Sequence, residues 1–251
     1  MSEWGELTAE LDAWHREGQC AHLWWRDDDA TRVTPALLRL LDLSARHGIP
    51  VALAVIPRDA EGDLARHLEN RPLASVLQHG WSHENHAPAE DRQEEFGVHR
   101  PLPDMLGELS EGWRRIARFP RAVPVMVAPW NRMDPHLLPH LPAAGLSAVS
   151  TLGPRDRPEP VPGVRRINVH VDLIDWQGTR GFLGLDRVLE QVIGHLQVRR
   201  RRTFDAGEPT GLMSHHGFHD EGCWSFLDDF MARTLAHPAV RWLSAREALA
   251  S

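Results

Sequence analysis

Short apolar runs alternate with helix-like segments along almost the whole of the 251-residue chain. The run PVALAVIP (50–57) is continuously apolar, as in strands that lie buried in a parallel sheet. The preceding segment, TPALLRLLDLSARHG, has Pro35 at a helix start and Gly48 at its end. The whole chain contains about seven or eight such units without a break, which predicts one α/β domain over 1–251 with a parallel sheet, open or closed into a barrel. The helical spacing of residues 1–19 predicts an N-terminal helical extension.

Composition argues against several classes of partner. The formal charge is −7, and RRRR (199–202) is the one strong basic cluster, so we expect no nucleic-acid-binding surface. No segment approaches the roughly 18 apolar residues that span a bilayer, so we expect no membrane partner. The N-terminus carries acids where a secretory signal carries cations and a long apolar run, which favours a cytoplasmic protein. Two cysteines cannot build a disulfide framework.

Polar side chains follow several of the predicted strands at the point where each strand ends. In a parallel barrel the carboxyl ends of the strands share one face, and sites are built there. Side chains that are far apart in the sequence should therefore converge. These side chains are Asp27, Asp28, Asp29, His79, Trp130, Asp172 and His215.

The segment QHGWSHENH (78–86) concentrates potential metal ligands. His79, His83 and His86 are spaced by four and three residues, so on a helical turn they would share one face. Two histidines and a carboxylate are a common catalytic metal set that leaves positions open for water and substrate. A polar surface loop would explain a lone histidine better, but this cluster directly follows a buried strand. The sequence therefore favours a metal site here.

The adjacent acids Asp27, Asp28 and Asp29 would repel one another behind two tryptophans unless a cation offsets their charge. Alone they could form a turn or a helix N-cap. On the same face as the histidines, one acid could bind the cation while its neighbour accepts a proton from the bound water. His215 or His216 could donate a proton to a leaving amine from the opposite side.

In chain order, these segments resemble the five motifs of the polysaccharide deacetylases, the NodB-homology type also grouped as carbohydrate esterase family four. The matches extend from about residue 22 to residue 217. Each motif is weak alone, but five in the family's order are a specific signal. The matching segments are RDDDA (26–30), HGWSH (79–83), APW (128–130), DLIDW (172–176) and GLMSHH (211–216).

The resemblance implies a distorted seven-stranded (β/α) barrel and metal-dependent hydrolysis of the acetamide of an N-acetylated sugar. It implies Asp28 as the base and Asp29, His79 and His83 as ligands of a divalent cation. Counting back from the following helix start would instead make Asp27 the base and Asp28 the ligand, so both registers stay open. Zinc is the first expectation for this donor set, and cobalt, nickel or iron also suit it.

The remaining motif residues receive roles from the same resemblance. His215 would act as the acid, and Asp172 would tune it. Further candidates with less specific roles are Asp27, His86, Asp175 and His216. The expected substrate-binding residues are Trp130, Trp176 and Asn131.

Two departures from the family's pattern bear on function. Val127 stands where the family has an arginine that contacts the catalytic acid, so Arg26 or Arg132 would have to replace it. Gly80 stands in place of a hydroxyl residue. These departures leave two rivals to a sugar deacetylase. One is a hydrolase of a cyclic or other small amide on the same scaffold, and the other is a barrel that binds a glycan or a partner protein without turnover.

Overall fold

The computed structural model describes residues 3–251, so the first two residues of the predicted extension lie outside it. Among the described residues, no helix has the length and apolar character needed to cross a bilayer. The helices are α1 (Glu3–Arg16), α2 (Pro35–His47), α3 (Gly62–Glu69), α4 (Leu102–Ile116), α5 (Leu185–Arg200), α6 (Glu221–Leu235) and α7 (Ala245–Ala250). The strands are β1 (Ala21–Ala30), β2 (Val51–Val55), β3 (Ala74–His79), β4 (Ala122–Val127), β5 (Ala148–Ser150), β6 (Arg165–Arg166), β7 (Val171–Asp172), β8 (Thr210–Ser214) and β9 (Val240–Leu243). Short 3-10 segments cover Pro129–Asn131, Pro135–Ala144 and His216–Phe218.

The strands form one parallel sheet in the order β6-β5-β4-β3-β2-β1-β8-β7, and β9 pairs with the start of β1. The two ends of this order, β6 and β7, are consecutive pieces of a single segment, 165–172. Because this segment pairs with β5 through Arg165 and with β8 through Val171, it closes the sheet into a barrel. Counted as one strand, it completes the expected seven-stranded barrel, and β9 adds an eighth member. The predicted fold class is confirmed.

Local signals in the sequence explain where the second helix, α2, begins and ends. The Thr34 side chain accepts a hydrogen bond from the backbone N–H of Leu37, and Pro35 occupies the first turn. Gly48 ends the helix in the left-handed region, at φ 67°. The buried side chains of α2, such as Leu37 and Leu40, belong to the core between the sheet and the helices.

Side chains alternate along β1 between the barrel interior and the surrounding helical layer. Trp24 packs inside the barrel with residues of neighbouring strands such as Ala52 and Leu77. Trp25 belongs to the larger core between the sheet and the helices. The even-numbered side chains of β1 therefore face the barrel interior, and Arg26 and Asp28 follow Trp24 towards its carboxyl end.

The N-terminal helix α1 packs against α5. The basic cluster at the end of α5 contributes to this contact. Arg200 pairs with Glu10 at 2.7 Å, and the guanidinium of Arg199 lies 5.1 Å from the ring centre of Trp14. The cluster is thus partly a packing feature, since Arg199 is only 1% exposed.

Candidate active site

A pocket of about 700 Å³ opens at the carboxyl ends of the barrel strands. The carboxyl-terminal residues of β1, β3 and β7 and the segments after β4, β7 and β8 contribute to its lining, as expected for a parallel barrel. Four of the thirteen candidate residues, discussed below, lie outside it. The nine that line it are Asp28, Asp29, His79, His83, Trp130, Asn131, Asp172, Trp176 and His215.

Three potential metal donors meet in this pocket. Asp29, His79 and His83 each offer a ligand atom, and these atoms lie within 4.8 Å of one another. Oδ1 of Asp29 is 3.1 Å from Nε2 of His79 and 3.5 Å from Nε2 of His83. Nδ1 of His79 lies 3.2 Å from the carbonyl oxygen of Val127, which favours a proton on Nδ1 and leaves Nε2 free for a cation. The set fits a divalent metal such as zinc.

The electrostatics of these three residues reflect their closeness. Burial alone would raise the pKa of Asp29, but the hydrogen bond and charge of His79 and the charges of His215 and His83 hold it well below its usual value. Burial would lower the pKa of His79, but its hydrogen bond to Asp29 raises it. Burial and the neighbouring charge of His79 lower the pKa of His83. A concentrated carboxylate–imidazole cluster of this kind is typical of a functional site.

Asp28 and Asp29 are adjacent in the chain, yet both line the pocket. Regular alternation would send them to opposite faces of the sheet. Asp29 instead has φ 71°, and the pairing of β1 with β2 shifts register between Asp27 and Ala30. This left-handed bulge re-aims the Asp29 side chain, so that two successive acids face one cavity.

Arg26 lies directly below Asp28 on the interior face of β1. Its Nε and one terminal nitrogen donate to the two carboxylate oxygens of Asp28, each at 2.8 Å. It also donates to the hydroxyl of Ser150 at 2.7 Å and to Oδ1 of Asn131 at 2.7 Å. Arg26 and Asp28 are both buried. Of the two arginines considered in place of the one absent at Val127, Arg26 contacts Asp28, whereas Arg132 lines the pocket and makes no ion pair with Asp28 among the described residues.

Asp27 points away from the pocket into the helical layer. Its carboxylate accepts hydrogen bonds from the Ser214 hydroxyl at 2.6 Å and from the backbone N–H of His216 at 3.0 Å. Nδ1 of His216 lies 2.5 Å from its other oxygen. Burial would lower the pKa of His216, but the charge of Asp27 raises it. The candidates Asp27 and His216 thus form an internal ion pair outside the pocket.

The expectation that the histidines share a helical turn is wrong. His79 is the last residue of β3, and His83 lies in a loop with φ 57°. His86 is exposed and does not line the pocket. The spacing of four and three residues is compatible with a helix, but Gly80 at φ 52° turns the chain away from a helix immediately after the strand. The loop brings His83 back to Asp29 and carries His86 outward.

Glu95 stabilises this loop from below. The backbone N–H groups of Trp81 and Ser82 both donate to its carboxylate, as does the Ser82 hydroxyl at 2.9 Å. Its burial raises its pKa. A Cβ at Gly80 would overlap the Glu95 carboxylate and lie 2.5 Å from Cγ of Pro129. Glycine is therefore the residue that fits between His79 and the buried Glu95.

Asp172 and His215 come from neighbouring strands on the other side of β1. Asp172 accepts hydrogen bonds from the backbone N–H of Ile174 at 3.0 Å and from the indole N–H of Trp176 at 2.8 Å. Burial raises its pKa, and the charge of His215 opposes the rise. Nε2 of His215 lies 3.9 Å from Oδ2 of Asp28. Nδ1 of His215 is buried and has no hydrogen-bond partner among the described residues.

Aromatic rings border the site on both sides. The ring of Trp130 lies 4.3 Å from that of His83, and the ring of Trp176 lies 4.8 Å from that of His215. Asn131 accepts from Arg26 and lines the pocket beside Trp130. Asp175 lies outside this pocket; its oxygens accept from backbone N–H groups of the turn that follows.

A second group of metal-binding residue types lies between the sheet and α5. Ligand atoms of His170, His195 and Glu208 are within 4.8 Å of one another, and the side chains are buried. The backbone N–H of Gly211 donates to Nδ1 of His170 at 2.9 Å. A neutral imidazole that accepts a hydrogen bond at Nδ1 carries its proton on Nε2. The Nε2 atom of His170, which faces Glu208, therefore has no lone pair to offer a cation. This group is therefore a buried polar network, in which burial raises the pKa of Glu208 to about 7.

No family model and no curated protein sequence matches the chain. Solved structures do match it. A protein assigned to the polysaccharide deacetylases from Mycobacterium smegmatis is 18% identical, with a TM-score of 0.64, over 93% of this chain and 90% of that one. A family 4 carbohydrate esterase from Streptomyces lividans, in complex with acetate, is 15% identical, with a TM-score of 0.55, over 88% and 91%. A family 4 acetyl xylan esterase from Clostridium thermocellum, in complex with a cobalt ion, is 13% identical, with a TM-score of 0.51, over 91% and 90%. At these identities the likeness establishes the fold, which is that of the family whose motifs the sequence resembles.

Proposed function

We propose that this protein is a metal-dependent hydrolase that removes the acetyl group from an N-acetylated sugar or sugar conjugate. One observation carries the proposal. A three-donor metal cluster, a second acid and a histidine meet in one pocket on a deacetylase fold. Fold alone does not specify function, so the argument rests on these side chains.

Asp29, His79 and His83 would hold the cation, and zinc is the first expectation for two imidazoles and one carboxylate. The esterase from Clostridium thermocellum, which shares the fold, is in complex with a cobalt ion. When bound, a divalent cation polarises an amide carbonyl and makes water easier to deprotonate at neutral pH. The pocket beside the three donor residues leaves room for an amide carbonyl and a water molecule.

Asp28 would act as the general base. It borders the metal donors, and Arg26 holds its carboxylate in one orientation through two hydrogen bonds. A carboxylate held in this position could accept a proton from the attacking water. The Arg26 pair also removes the main support for a barrel without turnover, because that rival rested on a missing arginine.

His215 would act as the general acid towards the leaving amine. Its Nε2 lies 3.9 Å from Asp28, so the two groups could address the same reacting centre. The charges of Asp172 and His215 interact, so Asp172 would tune His215 in this role. Trp130, Trp176 and Asn131 would bind the acetyl group and the sugar, because two indoles and an amide offer apolar walls and a polar contact.

Acetate release from a panel of N-acetylated sugars and chito-oligosaccharides tests the proposal. We expect release by the zinc- or cobalt-loaded protein, a fall of about 100-fold or more in Asp28→Asn, and an unchanged rate in the control His86→Ala. Absence of acetate release from every substrate with a metal-loaded protein would contradict it. Ring opening of a cyclic amide without acetate release would favour the rival hydrolase.

A further inference from the structure

Two arginines from separate loops face the same pocket as the proposed catalytic groups. Arg132 follows the 3-10 segment after β4, and Arg180 lies in the loop after β7. Within residues 3–251, neither guanidinium lies within 4.0 Å of a carboxylate. The pocket therefore presents two arginines without ion-pair partners in a protein whose overall charge is −7.

The loop that carries Arg180 is closely held. The backbone N–H of Arg180 donates to the carbonyl of Asp175 at 2.9 Å, and the N–H of Asp175 donates to the carbonyl of Gly181 at 2.9 Å. Phe182 pairs with Ile174 in an antiparallel bridge. Arg180 itself has φ 58°, a left-handed conformation that costs a non-glycine residue free energy. These bonds form a compact turn that presents Arg180 to the pocket. Because two of them involve the backbone of Asp175, Asp175 supports the position of Arg180.

Arg132 is anchored on the other wall. One of its terminal nitrogens donates to the carbonyl of Gln93 at 3.2 Å, and the preceding Asn131 is held by Arg26. Trp130 and Asn131 both adopt left-handed conformations, with φ 52° and 57°, which lead the chain around the rim before Arg132. The remaining guanidinium N–H groups of Arg132 are left for a ligand.

The acids of the pocket already have other partners. Asp28 is bound by Arg26, Asp29 lies with the two histidines, and Asp172 accepts from Trp176. An anion on the substrate would give Arg132 and Arg180 a charged partner, and guanidinium groups suit phosphate and carboxylate oxygens. A volume of about 700 Å³ also leaves space beyond a single acetamide.

From this arrangement we propose that the substrate of the site is an N-acylated sugar that carries an anionic group, a phosphate or a carboxylate, bound by Arg132 and Arg180. The inference rests on the proposed function for the sugar, but the anion subsite can be tested without turnover. Phosphate and carboxylate share the recognition chemistry, and separate probes distinguish them.

Titration calorimetry on chelator-treated protein measures binding alone. The probes are N-acetylglucosamine 1-phosphate, N-acetylmuramic acid for the carboxylate, and neutral methyl N-acetylglucosaminide. We expect at least one anionic probe to bind ~10-fold or more tightly than the neutral sugar, and an Arg132→Gln, Arg180→Gln double variant to lose that advantage. Arg118→Gln, an exposed residue that precedes β4 at the opposite end of the barrel, is the matched control and should bind as the wild type.

The failures of the two proposals are distinguishable. Equal binding of anionic and neutral probes, or an anionic preference that survives in the double variant, would overturn the anion subsite. Acetate release from neutral sugars would still support the proposed function in that case. Conversely, anion binding that the double variant loses would support the subsite even if no probe released acetate from the metal-loaded protein.

Discussion

Arg26 donates two hydrogen bonds, each 2.8 Å long, to the carboxylate of Asp28 two residues further along the same strand. Both side chains are buried. Residues two apart on a strand face the same side, so the Arg26 guanidinium and the Asp28 carboxylate meet within a single strand. Truncating one partner of such a pair leaves an uncompensated charge in the interior.

Arg26→Met should therefore lower the free energy of unfolding by about 3 kcal/mol or more, because the Asp28 carboxylate stays buried without its partner. The Arg26→Met, Asp28→Asn double variant should recover part of this loss, since the charge is removed with its partner. Urea unfolding in the presence of a chelator measures both, without a contribution from bound metal. If the loss in free energy of unfolding of the double variant equals the sum of the losses in Arg26→Met and Asp28→Asn, the two side chains are not energetically coupled.

Gly80→Ala should destabilise the protein by about 2 kcal/mol or more and weaken metal affinity. The new Cβ would overlap Glu95 in a backbone conformation that L residues rarely adopt, and the loop carrying His83 would have to shift. Gly107→Ala is the matched control. It lies inside α4 with open space around the added Cβ, so it should leave stability unchanged or raise it by up to ~1 kcal/mol. Equal effects of the two changes would contradict the role given to Gly80.

Glu208 should make stability depend on pH near neutrality. Burial raises its pKa from 4.5 to about 7, so between these values the folded state holds a proton that the unfolded state has lost. The free energy of unfolding therefore falls as the pH rises through that window. From about pH 6 to about pH 8, the wild type should lose about 1 kcal/mol more than Glu208→Gln, which mimics the protonated form. Denaturant unfolding at both pH values checks this, and parallel pH dependence in the two proteins would refute it.

Much of the fold could be predicted because the burial of strands and of one side of each helix sets the pattern of apolar residues along the chain. The continuous apolar run of β2 and the capped helix α2 are local signals, and both lie where the sequence indicates. The convergence of Asp29 with His79 and His83 followed from the shared face of parallel strand ends. No local signal indicated that the short pieces β6 and β7 would close the barrel, because that closure depends on pairing between distant segments.

The finer placement of the site depended on backbone conformations that the sequence does not display. Three adjacent acids cannot be assigned to two faces without knowing that Asp29 adopts φ 71°. The spacing of the histidines suggested a helix, whereas Gly80 and the buried Glu95 make a loop and leave His86 exposed. Gly80 was the available signal, because a glycine directly after a strand permits a left-handed turn.

The metal content of the purified protein tests the proposed metal site most directly. It is measured by plasma mass spectrometry after incubation with zinc, cobalt or nickel and removal of unbound ions. We predict about one equivalent per chain in the wild type and in Asp28→Asn, and loss of metal in Asp29→Asn and in the His79→Ala, His83→Ala double variant. Far-ultraviolet circular dichroism of each variant would verify that it remains folded. A wild-type protein that takes up none of these metals, or a folded Asp29→Asn variant that keeps a full equivalent, would contradict a metal site at Asp29, His79 and His83.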